Sequence, residues 1–171
     1  MKTSIAIAFV FCCLVNLESC KEDDKPCVME EVATPFRAPC QSNKDIDTIK
    51  MYIQGTWTWL QEERPVRGLQ TTKYLTPKSE GYSLELRLQD DIATYYKCGV
   101  VDDSYKFAVI RLKEISGTNF PEDEDPVLIF YDLKTGLRKT HVPLKICPDY
   151  LILQYQYVSS VVGEYTWKRK Q

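Results

Sequence analysis

Few residues in this chain are equipped for catalysis. Of its 171 residues only one is a histidine, His141. A serine or cysteine nucleophile needs a base to take its proton, and a zinc site needs several imidazole, thiolate or carboxylate ligands at set spacing. His141 stands in a strand-like run with no second ligand near it in sequence, so it reads as structural or exposed. There is no Gly-rich phosphate cradle. The acidic stretch Glu122-Asp123-Glu124-Asp125 offers oxygen atoms to calcium but lacks EF-hand spacing, and it reads as a solvated loop. The expectation is a protein that is not an enzyme and holds no metal or cofactor.

Bulk composition narrows the partners. The formal net charge is −2, which leaves no basic field for nucleic acid. Charged residues at 27% and hydrophobic residues at 44% describe an ordinary globular domain. Seven glycines against eleven tyrosines lean towards β structure.

The N-terminus has the build of an export signal. Lys2 gives a short positive start, and Ile5 to Leu17 is an apolar run of 13 residues, short for a membrane span. Leu17-Glu18-Ser19-Cys20 follows and resembles a bacterial lipobox, with Glu18 in place of the usual small residue at −2. The resemblance implies a signal peptide over 1–19 and a lipid on Cys20, hence attachment to a membrane. Lys21-Glu22-Asp23-Asp24-Lys25 resembles the Lys-then-acidic stretch that sends some Gram-negative lipoproteins to the cell surface; a periplasm-facing anchor remains the other option. From there to residue 48 the chain, rich in Pro, Thr, Ser and charge, reads as a tether. A flexible tether of roughly 28 residues spans about 30 Å, enough to hold a domain clear of a membrane.

Cysteine parity fits export. Seven are present, and Cys12 and Cys13 lie within the signal. With Cys20 lipidated, Cys27, Cys40, Cys98 and Cys147 make an even set, as suits an oxidising compartment. Four cysteines allow three pairings. The short local loop favours Cys27–Cys40, leaving Cys98–Cys147; the alternative is that some remain reduced.

The rest of the chain must supply the elements. Ile46, Ile49 and Ile53 recur at helical spacing and predict one short helical turn. The runs after it are of strand type: Gly55–Glu62, Tyr82–Gln89, Ile92–Gly99, Tyr105–Leu112, Val127–Leu133, Leu137–Lys145, Tyr150–Tyr157 and Glu164–Lys170. In the second, Tyr82, Leu84, Leu86 and Leu88 alternate with Ser83, Glu85, Arg87 and Gln89, the period of a half-buried strand. Turns are expected at Asp90-Asp91, Lys134-Thr135-Gly136 and Cys147-Pro148-Asp149. Eight short strands in simple order, with no long helix between them, predict an all-β fold: an eight-stranded antiparallel up-and-down β-barrel over residues 49–171. Closure removes exposed strand edges.

The pieces Gly55-Thr56-Trp57-Thr58-Trp59, Thr76-Pro77-Lys78-Ser79-Glu80-Gly81-Tyr82, Asp149-Tyr150-Leu151-Ile152-Leu153 and Tyr165-Thr166-Trp167-Lys168-Arg169, in this order behind a lipobox, resemble the lipocalin-like domains of bacterial lipoproteins. The resemblance implies that Trp57 packs across a closed barrel end, next to Gly55, with Arg169 of the last strand stacked over it, or Lys168 or Lys170 in its place if the strand phase is shifted by one. It also implies that Arg64–Glu80 is a lid loop over the open end, where Arg64 and Arg67 would lie near a mouth.

An eight-stranded barrel either fills with its own side chains or holds one small ligand. The tyrosines at 95, 96, 105, 131, 155, 157 and 165 would line such a cavity or stand on both faces; alternation leaves this open. Two functional readings follow. One is a carrier or sensor of a small, largely apolar ligand, requiring a cavity of several hundred cubic ångströms. The other is a protein- or glycan-binding surface module with a filled barrel.

Overall fold

The computed structural model describes residues 27, 29, 31, 33–40, 43–66, 71–116, 124–158 and 161–171. The expected signal peptide, Cys20, the charge run 21–25, Arg67 and the Glu122-Asp123 half of the acidic loop lie outside the described residues, as does the Tyr157 side chain. Among the described residues nine strands and three short helices form.

The helix α1 (Ile46–Ile53) starts at Asp45, whose carboxylate accepts the Thr48 N–H at 3.0 Å. Its Ile49 and Ile53 are fully buried and join the barrel core. The spacing of isoleucines thus made two turns rather than one.

The strands are β1 (Gly55–Pro65), β2 (Thr72–Leu75), β3 (Leu84–Gln89), β4 (Ile92–Lys97), β5 (Val100–Arg111), β6 (Pro126–Tyr131), β7 (Arg138–Cys147), β8 (Tyr150–Val158) and β9 (Val161–Arg169). Every neighbouring pair is antiparallel, and β9 pairs back onto β1 from Trp57↔Arg169 to Glu63↔Glu164. The ring is therefore a closed eight-stranded barrel. The ninth strand, β2, extends the position of β3: the first half of β1 pairs with β3 and its second half with β2. Between them, α2 (Pro77–Glu80) is capped by reciprocal Thr76 and Ser79 bonds and ended by Gly81 at φ 75. The stretch expected as a lid loop is thus a broken barrel stave. Arg64 in it donates to Glu62 at 2.7 Å.

Barrel parity puts Leu86, Leu88, Phe107, Val109, Leu128, Leu144, Leu151 and Leu153 in the core, with Trp57, Trp59 and Trp167. Hairpins at Asp90-Asp91 (φ 50 and 65) and Cys98-Gly99 (φ 50 and 83) use the left-handed backbone that matches strand twist.

The disulfides differ from the expected pairing. They are Cys27–Cys98 and Cys40–Cys147, with Cα atoms 4.7 and 5.6 Å apart. Loop length favoured the local pair, but topology decides. Cys98 lies in the β4–β5 turn at one end of the barrel, and Cys147 ends β7 at the other, so these two cannot meet. Within the segment expected to be a free tether, the part from Cys27 to Cys40 is fastened to the barrel at both ends. Ser83 N–H donates to Cys27 Sγ at 2.9 Å, Phe36 packs on Tyr150 and its N–H donates to Gln61 at 2.7 Å, and Arg37 pairs with Glu63 at 2.5 Å.

Candidate ligand-binding site

The two barrel ends are built differently. At one end α1 lies under the barrel, and Trp57, wholly buried, donates its indole N–H to Ile53 O at 2.9 Å. The Arg169 guanidinium stands 4.2 Å from the centre of the Trp57 ring. It also donates to Pro148 O and Gln54 O, each at 2.7 Å, and to Tyr52 O. One planar fork thereby ties the last strand to the turn before β8 and to the C-terminal end of α1. Gly55, at φ +125, is where Arg169 passes closest: a Cβ there would sit 2.8 Å from Nη1. Gly55, Trp57 and Arg169 therefore form one seal.

The other end holds a cavity of about 390 Å³. Its walls are aromatic: Tyr95, Tyr105, Phe130, Tyr155, Tyr165 and Trp167, with Leu84. Most of the rings contact one another edge-on or tilted, Tyr155–Tyr165 at 5.0 Å and Tyr105–Phe130 at 5.8 Å between centres, while Tyr165 and Trp167 stack at 6.4 Å. The rim is polar, formed by Asp102, Asp103, Lys139 and Thr140.

Two irregularities in the ladder make that rim. Between Tyr95↔Asp103 and Tyr96↔Val101 the register skips Asp102; between Phe130↔Thr140 and Tyr131↔Arg138 it skips Lys139. A bulge lets two consecutive residues face the same space, which regular alternation forbids. Asp102 with Asp103, and Lys139 with Thr140, reach the mouth by this route. Lys139 also pairs with Asp132 at 3.2 Å.

The tyrosine hydroxyls in the chamber stay protonated over a wide pH range. Tyr105 donates to Asp103, and that bond, then burial and the nearby carboxylates, pushes its pKa up to about 12. Burial pushes Tyr155 up to about 12 and Tyr95 well above its usual value; the two hydroxyls also interact with each other. Two indole N–H groups, of Trp59 and Trp167, are buried without an acceptor. These two residues face each other across β1 and β9.

Of the tyrosines singled out from sequence, Tyr95, Tyr105, Tyr155 and Tyr165 join the core, whereas Tyr96 stands on the outer face under Arg87, 5.2 Å from its ring centre. Tyr131 does not line the chamber. The residues missed were Trp167, Phe130 and the four of the rim. Parity held the first signal: an inward Arg169 implies inward Trp167 and Tyr165. The rim had none, because bulges leave no mark in hydropathy.

His141 is exposed on β7. Glu124 of the acidic loop pairs with Arg111 and Lys113, and Asp125 with Lys44. Among the described residues no group of three His, Cys, Asp or Glu side chains is placed to hold a metal ion, and no helix is long and apolar enough to cross a membrane. No protein-family model, curated protein or solved structure matches the chain.

Proposed function

We propose that the chain is a non-catalytic, lipid-anchored envelope protein whose lipocalin-like barrel binds a small, largely apolar molecule in the aromatic chamber. The observation that carries this reading is the chamber itself. Its volume of about 390 Å³ falls in the range of small-molecule sites, roughly 300–1,000 Å³. Its walls are apolar and its polar groups are few and gathered at the rim, as orientation of a guest requires. The lipobox supports attachment through Cys20, and the acidic stretch behind it supports display at the outer membrane. The filled-barrel alternative finds less support. Among the described residues the large exposed hydrophobic side chains are Met29, Met51, Val100, Val101, Leu133 and Leu137, none of them aromatic.

Native mass spectrometry of protein gently extracted from its own membranes tests the reading. A small molecule bound at one per chain is the expected result. An empty barrel that also leaves an apolar fluorescent probe unbound would refute it. Cys20→Ser should release the protein from the membrane fraction; unchanged partition would remove the anchor.

A further inference from the structure

We infer that the guest is an organic cation, with its apolar body among the rings of the chamber and its ammonium group at the mouth beside Asp102 and Asp103. This deepens the binding proposal and rests on it.

Two observations converge. First, the walls present six aromatic rings. Ring faces carry the negative end of the aromatic quadrupole and attract cations. Second, the charge at the mouth is lopsided. Asp102 and Asp103 line it, and Lys139, the cation among the described residues of the rim, is already matched by Asp132 at 3.2 Å. Asp103 is held in place by the Ser104 N–H at 2.8 Å and by the Tyr105 hydroxyl.

The alternatives fare worse on the same grounds. An anion entering the chamber would meet two carboxylates and the faces of the rings. A neutral guest could donate a hydrogen bond to the acidic rim but would gain no charge attraction from it. A cation whose head stays at the mouth keeps part of its hydration and avoids the cost of full burial.

The test uses three probes that share a phenethyl body: phenethylammonium, phenethyl alcohol and hydrocinnamate. Each is titrated into the full chain in mild detergent, with calorimetry as the readout. Phenethylammonium should bind roughly tenfold tighter than the alcohol, the order expected for a part-solvated cation near carboxylates and rings. Hydrocinnamate should show no saturable binding. The Asp102→Asn variant, and separately Asp102→Asn with Asp103→Asn, should bring the cation down to the affinity of the alcohol while leaving the alcohol unchanged. The exposed position of Asp102 makes its single substitution safe for folding. Equal or tighter binding of the alcohol or the carboxylate overturns the cation assignment and leaves the chamber reading standing. So does an ammonium preference that survives both substitutions. No binding of any probe overturns the cation assignment, and an empty barrel in the co-purification experiment then removes the chamber reading as well.

Discussion

Trp57 and Trp167 are both fully buried in the same barrel, one in the seal and the other lining the chamber, and they differ in what happens to the indole N–H. Trp57 donates to Ile53 O at 2.9 Å and carries Arg169 on its face. Trp167 donates to nothing, and neither does its cross-strand neighbour Trp59. Where the polar atom of a large ring is satisfied, the protein has packed against itself and is finished. Where the donor is left over beside a cavity, packing stops short. The closed end is a seal made of short, mutually supporting contacts, and the open end is a space walled by rings.

Substitutions can break this contrast. Trp57→Ala should cost about 3–5 kcal/mol in chemical denaturation, the usual range for a large buried aromatic. A loss under about 1 kcal/mol would mean that the seal is not structural. Replacing Cys27 and Cys98 together by Ser should cost about 2–4 kcal/mol, because the bridge closes a long loop of the unfolded chain, its ends 71 residues apart. Gly55→Ala should cost about 1–3 kcal/mol, since the residue sits at positive φ and its Cβ would crowd Arg169. Trp167→Phe should behave in the opposite sense: it removes an unsatisfied donor, so the empty protein should lose little or gain up to about 1 kcal/mol. A large loss there would erase the distinction between the two ends.

Titration with base sharpens the same contrast. Tyr95, Tyr105 and Tyr155 have raised folded values, so the fold favours their protonated forms. Their stabilising contribution is complete below the ordinary tyrosine value near 10 and is lost as pH rises towards about 12. Tyrosinate absorbance should therefore show a late fraction that appears only as the barrel opens. Full ionisation in one early step, with the fold intact, would contradict the buried chamber.

Much of the fold was legible in the residues. Alternation in Tyr82–Gln89 and in Tyr105–Val109 placed the inward faces, and Ile49 and Ile53 marked the helix that lies under the barrel. Gly55, Trp57 and Arg169 could be named together because a shared resemblance tied them. What could not be read were features that depend on partners across strands. Asp102 and Lys139 reach the mouth through bulges, which alter pairing without altering composition. Thr72–Leu75 reads as loop because four polar-flanked residues carry too short a period to register as a strand. The cysteine pairing failed for a related reason: sequence distance measures the entropy of closing a loop, whereas the ends of β4 and β7 fix which sulfurs can touch.

If Cys20 carries the proposed lipid, the bridge from Cys27 to the β4–β5 turn sets a limit on how far the barrel can stand from a bilayer. Cys98 belongs to the mouth end, so the leash leading back towards Cys20 departs beside the opening and not from the sealed base. Cys27 lies seven steps along the chain from Cys20, a reach of at most about 25 Å when fully stretched. An acyl chain on Cys20 would then moor the protein mouth-first, and a guest could pass between lipid and chamber over a short gap of water.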